Sequence, residues 1–176
     1  AGAPARGSAE AVSGNHPILG QQRALTALGR ALAGGHVHHA WIFHGPPGVG
    51  KRLAAEEFAR ILLDPAATAA DRTACRAPRG TAVSRLIDAG THPDLHVIRK
   101  ELASVSENRE LRDRKQLNIP VDLLRERMIG GITGDGRHHE SAVFRTAALG
   151  HGKVFVVDEA ELLETEAQNA MLKTLE

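Results

Sequence analysis

The sequence contains little of what a secreted, membrane-spanning or nucleic-acid-coating protein needs. Its 176 residues include one cysteine, Cys75, which excludes a framework of disulfide bonds. Its 22 basic and 21 acidic side chains nearly cancel, which excludes a strongly basic nucleic-acid coat and an acidic tail. No apolar run approaches the roughly 20 residues that span a bilayer. These absences predict a cytoplasmic protein with no membrane partner.

Aromatic side chains are also scarce, with four Phe, one Trp and no Tyr. The core must therefore consist of Ala, Val, Leu and Ile, a composition that favours helices packed on a parallel sheet. Short apolar runs predict strands over 40–43, 95–98 and 154–157. Apolar periodicity and end signals predict helices over 21–33, 51–63, 81–89 and 120–128, and another from Thr165. The alternation predicts an α/β fold whose parallel sheet is flanked by helices.

Several segments lack such periodicity. Residues 1–15 are rich in Ala, Gly and Ser, which predicts a disordered N-terminal arm. Residues 64–80 are predicted to form a loop, and 142–149 a short helix. Residues 99–115 carry ten charged side chains in seventeen positions, which favours a solvated hairpin or loop over a binding patch.

The most informative motif follows the first predicted strand. It fits the pattern GxxxxGK and consists of Gly45, Pro46, Pro47, Gly48, Val49, Gly50 and Lys51. In such a loop the backbone N–H groups point at phosphate oxygens, the following helix offers its N-terminus, and the lysine reaches the β- and γ-phosphates. Because a strand is predicted before the loop and a helix after it, a nucleotide-binding loop is favoured over a Gly-Pro surface turn.

The residue after the lysine departs from this pattern. A Ser or Thr is expected there, and its hydroxyl binds Mg²⁺. The sequence has Arg52 instead. This change keeps the phosphate cradle but removes a metal ligand, so nucleotide binding with weak or absent dependence on Mg²⁺ is expected.

A second motif is the run Val154–Val157 followed by Asp158 and Glu159. An apolar strand of this kind delivers both carboxylates to its carboxyl end, where ligands of parallel sheets collect. Asp158 is the candidate Mg²⁺ ligand, and Glu159 the candidate catalytic residue that orients an attacking water. Such a run is common in ordinary strands, but the glycine loop upstream strengthens the functional interpretation.

A zinc site is not predicted in addition to the candidate Mg²⁺ site. The sequence has ten histidines, but a structural zinc site usually requires several cysteines as well. Cys75 stands alone and is expected to be an inert thiol. No zinc is therefore expected.

Taken in order, these motifs resemble the bacterial clamp-loader AAA+ family. The stretch PILGQQRALTALGRALAGGHVHHAWIFHGPPGVGK, at 17–51, looks like the opening of its subunits. THPDLHVI, IPVD and LRE, which begin at 91, 119 and 124, are similar to the delta-prime branch of DNA polymerase III subunits. VDEAE and QNAMLKTLE, which begin at 157 and 168, resemble the Walker B strand and the next helix. The gamma/tau branch is the nearest alternative.

This resemblance implies that residues 16–176 are the N-terminal part of an AAA+ nucleotide-binding domain with sheet order 5-1-4-3-2. The lid and collar domains of the family are not found in the sequence, which looks truncated. The implied ligands are ATP or ADP with Mg²⁺. The implied partners are the delta and gamma/tau subunits and, through the assembly, the sliding clamp and primer–template DNA. The implied function is loading of the clamp during DNA replication.

Two departures from the family leave the enzymatic role open. Family members often carry a four-cysteine zinc module between the helix after the phosphate loop and the next strand, where this sequence has only Cys75. Arg52 replaces the Ser or Thr of the phosphate loop. The alternatives are therefore an ATP-hydrolysing subunit, a scaffold that binds nucleotide without hydrolysing it, and a gamma/tau-type ATPase subunit.

Overall fold

A computed structural model of the chain describes residue 18 and residues 20–175. The predicted disordered arm over 1–15 lies outside the described residues. The chain divides into two compact units. The first reaches to Val37 and includes Phe43–Pro93, and the second combines His38–Ile42 with the chain from Asp94 onward.

All the regular structure in the described residues of the first unit is helical. Its helices are α1 (Gln22–Ala33), α2 (Lys51–Leu63), α3 (Ala69–Ala74) and α4 (Ala82–Asp88). The helices α1, α2 and α4 confirm the sequence predictions. Its core consists of small and aliphatic side chains with one aromatic ring: Leu28, Leu32, Ala54, Phe58, Ala59, Ile61, Leu63, Cys75, Ala77, Val83 and Ile87.

Helix α3 corrects the prediction of a loop over 64–80. It begins with a reciprocal capping box, in which the Thr68 hydroxyl accepts the Asp71 backbone N–H and the Asp71 carboxylate accepts that of Thr68. Helix α1 packs so closely against α3 that a Cβ at Gly29 would lie 2.3 Å from the carbonyl oxygen of Thr73 in α3. This contact and the capping box stabilise a six-residue helix that has no apolar period of its own.

Buried charged side chains connect α2 to the segment that follows it. The Glu57 carboxylate accepts the Ala77 backbone N–H at 2.7 Å and pairs with the Arg79 guanidinium at 2.8 Å. The Asp64 carboxylate accepts the Thr81 hydroxyl at 2.6 Å. Because a buried carboxylate is tolerated only when it is hydrogen-bonded, these contacts determine how residues 64–81 fold against α2.

The second unit contains the parallel sheet. Strand β1 (Leu95–Ile98) pairs with β4 (Val154–Val157) in parallel, with Leu95 opposite Val154 and Ile98 opposite Val157. The register also stacks His96 on Phe155, with ring centroids 4.6 Å apart and planes within 10°. Two short antiparallel strands, β2 (Gly131–Ile132) and β3 (His138–His139), form a separate pair.

Short helical segments flank this sheet. They comprise 3₁₀ turns at Lys100–Val105 and Ala160–Leu162, and the helices α5 (Arg109–Asp113), α6 (Val121–Leu124) and α7 (Thr165–Leu175). A π-helical turn, Arg125–Ile129, continues α6. The core is Ile98, Ala103, Leu111, Ile119, Val121, Leu123, Leu124, Met128 and Ala167. The α/β class with a parallel sheet flanked by helices is thereby confirmed. No helix in the described part of the chain is long and apolar enough to cross a membrane.

The strand predicted over 40–43 does not form, and Ile42 is 95% exposed. A strand exists only when a neighbour accepts and donates its backbone hydrogen bonds. Among the described residues, no strand pairs with this segment.

Two further predictions fail because tertiary contacts override local pattern. Residues 142–149 are not helical, since the backbone N–H groups of Ala148 and Leu149 bond to the Asp94 carboxylate at 2.7 and 2.8 Å. The segment 99–115 is not a solvated loop, since it forms a 3₁₀ turn and α5 and buries Ala103 and Leu111 in the core.

The buried Asp94 carboxylate, 1% exposed, generates a stability prediction. Asp94→Ala leaves two backbone N–H groups without their acceptor, so we expect a loss of about 2–4 kcal/mol in the free energy of unfolding. Urea denaturation of the full-length protein measures this loss. Asp113→Ala is the control, because Asp113 and its partner Arg109 are 68% and 84% exposed, and it should change stability by less than about 0.5 kcal/mol. Equal effects of the two variants would contradict the structural role of Asp94.

Candidate functional site

The three glycines of the loop all have positive φ values. Gly45, Gly48 and Gly50 have φ values of 152°, 78° and 88°. At Gly50, φ 88° and ψ 22° place the residue in the left-handed region immediately before α2, where a Cβ would strain the backbone. The glycines therefore allow the chain to turn from the loop directly into the first turn of a helix.

Lys51 is the first residue of α2 and turns its side chain back over the loop. Its Nζ donates to the carbonyl oxygens of Gly45 and Pro46, both at 2.9 Å. An ammonium group has three N–H donors, and these two contacts use two of them. The positive charge is thereby held beside the loop and the N-terminus of α2, which is the arrangement that binds an anion such as a phosphate group.

Gln21 also contacts the loop, although sequence analysis does not identify it. Its side-chain Nε2 donates to the Val49 carbonyl oxygen at 3.0 Å. Gln21 precedes α1 and lies 28 positions before Val49, so no local spacing links the two residues. Only the packing of the first unit shows that they meet.

Arg52 lies one residue into α2 and pairs with Glu56, four residues further along the helix. Its Nε is 3.2 Å from the Glu56 carboxylate, and the two side chains are 30% and 11% exposed. A guanidinium has no lone pair with which to ligate a cation. The position that holds a metal-binding hydroxyl in the motif is therefore occupied by a cation that is engaged by a carboxylate of its own helix.

Asp158 and Glu159 belong to the second unit and follow β4, as predicted. The Asp158 backbone N–H donates to Ile98 O at 3.0 Å and so extends the pairing of β1 with β4. The Asp158 carboxylate is half-buried and accepts the Glu159 backbone N–H at 3.1 Å. Glu159 has the left-handed values φ 54° and ψ 48°, which are uncommon for a residue with a Cβ and mark a sharp change in chain direction.

The Glu159 carboxylate forms an ion pair that sequence analysis does not predict. Its Oε2 lies 2.7 Å from Nζ of Lys100. The strand register brings the two segments together: Ile98 at the end of β1 lies opposite Val157 at the end of β4, and Lys100 and Glu159 each follow two positions later. The hydrogen bond to Glu159 raises the pKa of Lys100 above its ordinary value. The signal in the sequence is a lysine two residues after one strand and a glutamate two residues after another.

The described histidines and Cys75 do not gather into a metal site. No group of three or more His, Cys, Asp or Glu side chains within residues 20–175 is arranged to hold a metal ion. Cys75 is buried, and desolvation together with the charge of Glu57 raises the pKa of its thiol to about 11. The absence of zinc remains a prediction.

These features together define an α/β protein that carries the glycine-rich pattern GxxxxGK at the start of a helix. Residues 20–176 match the model of the family described as "DNA polymerase III, delta subunit". The chain belongs to this family, which is a family of clamp-loader AAA+ domains, and the resemblance to clamp-loader subunits is confirmed.

Similar proteins come from both branches considered above. DNA polymerase III subunit delta' of Pseudomonas aeruginosa is 35% identical over 153 residues, which are 85% of this chain and 37% of that protein. DNA polymerase III subunit tau of Escherichia coli is 28% identical over 160 residues, which are 90% of this chain and 20% of that protein. DNA polymerase III subunit gamma/tau of Mycobacterium tuberculosis is 29% identical over 163 residues, which are 90% of this chain and 22% of that protein. The chain thus spans well under half the length of these relatives.

The high pKa of Cys75 makes its thiol unreactive. At pH 8 a thiol with a pKa of about 11 is ionised roughly a hundredfold less than one with the ordinary value of 9.0, and the thiolate is the reactive form. We expect the native full-length protein to react with a thiol-specific disulfide reagent at Cys75 at least about a hundredfold more slowly than the urea-unfolded protein. Peptide mapping of the labelled cysteine follows the reaction. Equal rates would show that the thiol is accessible and ionised.

Proposed function

We propose that this chain is part of a delta-prime-type clamp-loader subunit of the replicative DNA polymerase that binds ATP or ADP through the Gly45–Lys51 loop. The family match supports a role in DNA polymerase III. The similarity to a delta' subunit at 35% identity, against 28–29% for the tau and gamma/tau relatives, favours the delta-prime type over the gamma/tau-type ATPase subunit.

The observation that carries the nucleotide proposal is the position of the Lys51 ammonium. It is held 2.9 Å from two loop carbonyls at the N-terminus of a thirteen-residue helix, beside glycines whose left-handed conformations form the loop. A phosphate group bound there receives a positive charge, helix-terminal N–H groups and loop N–H groups together. In this proposal the loop residues Gly45, Pro46, Pro47, Gly48, Val49, Gly50 and Lys51 form the phosphate cradle.

The roles of the two carboxylates follow from their different contacts. Asp158 is the proposed ligand of Mg²⁺, either directly or through water, because a half-buried carboxylate at a strand end is a suitable oxygen donor. Glu159 is the proposed catalytic residue in any hydrolysis. Since the Lys100 ammonium holds its carboxylate at 2.7 Å, Glu159 must leave that ion pair before it can polarise a water molecule.

Two of these contacts favour a second candidate function, that of a scaffold subunit that binds nucleotide without hydrolysing it. Arg52 supplies no metal ligand and pairs with Glu56, and Lys100 engages the carboxylate that hydrolysis requires. In either function the proposed partners are the delta and gamma/tau subunits and, through the assembly, the sliding clamp and primer–template DNA. The proposed location is the cytoplasm, where the chain would act in DNA replication.

The nucleotide proposal predicts that Lys51 dominates affinity. Lys51→Ala removes a charge-assisted contact to the β- and γ-phosphates, which contributes about 1.5–3 kcal/mol, so affinity for ADP should fall roughly tenfold to a hundredfold. Isothermal titration of the full-length protein measures it. Lys115→Ala removes the same charge from an exposed position outside the loop and should leave affinity within about twofold. Unchanged affinity in Lys51→Ala would exclude the loop as the binding site.

Arg52 distinguishes the scaffold from the ATPase. We expect the wild-type protein to bind ADP nearly as well in EDTA as in Mg²⁺, because no hydroxyl at position 52 ligates the metal. Arg52→Thr should introduce a clear dependence on Mg²⁺, measured by titration in both buffers, and should raise ATP turnover in the assembled loader. Arg52→Ala is the matched control, since it also breaks the Glu56 ion pair but adds no hydroxyl, and it should not create that dependence. Strong Mg²⁺ dependence and brisk turnover in the wild type, unchanged by Arg52→Thr, would instead support an ordinary ATPase.

A further inference from the structure

The contact between Gln21 and the loop joins two segments that are distant in the sequence. The Gln21 backbone carbonyl accepts the Leu25 N–H at 3.0 Å and so belongs to the beginning of α1. Its side chain is half-buried and its Nε2 reaches the Val49 carbonyl oxygen at 3.0 Å. A carbonyl oxygen can only accept, so the amide nitrogen of Gln21 must face it. The hydrogen bond is therefore a directional link from α1 to the loop.

The Val49 carbonyl matters because its peptide group also carries the Gly50 N–H. In a planar trans peptide the C=O of one residue and the N–H of the next point in opposite directions, and the described residues contain no cis peptide. A hydrogen bond that holds Val49 O on one side therefore directs the Gly50 N–H to the other side. Gly50 is followed at once by Lys51, whose ammonium lies beside the loop.

The loop itself does little to prevent this peptide from turning over. Turning it over changes ψ of Val49 and φ of Gly50, and Gly50 has a φ of 88° with no atom within 4 Å of the position that a Cβ would take. Glycine passes between left- and right-handed conformations at little cost. If the Val49–Gly50 peptide flipped, a carbonyl oxygen would replace the N–H on the side that faces an anion. An oxygen there would repel a phosphate group.

We infer that Gln21 is a positioning residue of the phosphate loop: its side-chain amide locks the Val49–Gly50 peptide so that the Gly50 N–H is available to a bound phosphate. This inference rests on the proposed nucleotide function and deepens it. Gln21 itself contacts neither the nucleotide nor the metal. Its effect is exerted on the phosphate part of the ligand, through the backbone.

The test compares Gln21→Met with Gln22→Met in the full-length protein. Methionine matches the length and flexibility of glutamine but donates no hydrogen bond, and neither substitution changes the charge near the anion. Gln22 is the adjacent residue and is exposed, which makes it the matched control. Isothermal titration with ADP and, separately, with inorganic pyrophosphate measures the affinity of the loop for a ligand with and without a nucleoside. Amide ¹H–¹⁵N spectra report the Gly50 N–H directly.

We expect Gln21→Met to weaken the binding of ADP and of pyrophosphate by the same factor, roughly fivefold to tenfold as for the loss of one hydrogen bond. The Gly50 amide resonance should shift or broaden in that variant. Gln22→Met should change neither affinity by more than about twofold nor the Gly50 resonance.

The other outcomes separate this inference from the nucleotide proposal. If the wild-type protein binds ADP and pyrophosphate but Gln21→Met binds them equally well, the positioning role is wrong and the nucleotide site stands. If only the affinity for ADP falls, Gln21 acts on the nucleoside and not on the loop, which also overturns the positioning role. If Gln21→Met lowers the melting temperature while both affinities persist, the contact is merely structural. If the wild type binds neither ligand, the nucleotide proposal fails and this inference fails with it.

Discussion

The second unit depends on the parallel register of β1 and β4. Once Leu95 lies opposite Val154, every residue along both strands has a determined neighbour, and the pairing extends past the strand ends through the bond from the Asp158 N–H to Ile98 O. A shift by one residue would turn each side chain to the opposite face of the sheet. It would also separate Lys100 from Glu159. The ion pair at the candidate catalytic carboxylate is thus a consequence of the strand register.

In the first unit, the element on which the other contacts depend is helix α2. Its first residue, Lys51, holds the loop, and its buried face carries Phe58 and Ile61 together with charged side chains. Two of those charges find partners in the segment that follows the helix, since Arg79 pairs with Glu57 and Asp88 pairs with Arg60, whereas Glu56 pairs with Arg52 of α2 itself. The helix therefore joins the candidate phosphate site to the stability of the whole unit. A substitution that loosens α2 is expected to disturb the loop as well.

Both candidate motifs are accompanied by a side chain that limits their freedom and lies far away in the sequence. Gln21 holds the loop carbonyl of Val49, and Lys100 holds the carboxylate of Glu159. Neither partner belongs to the motif that it contacts. In the proposed function, the contact of Gln21 would support phosphate binding by the loop, whereas the contact of Lys100 would have to break before Glu159 could act on a water molecule.

The sequence by itself determined the elements whose signals are local. The apolar period of α1 and α2, the β-branched run of β4 and the spacing of the glycines before Lys51 all appear in the structure where the pattern predicts them. Predictions from local pattern were wrong where the local structure depends on a group from another segment of the chain. Residues 40–43 do not form a strand because a strand needs a neighbouring strand, and residues 142–149 are not helical because the Asp94 carboxylate binds the backbone N–H groups of Ala148 and Leu149. The contacts of Gln21 and Lys100 were likewise decided only by the tertiary structure, since hydrogen bonds and ion pairs depend on distance in space, which sequence spacing does not encode.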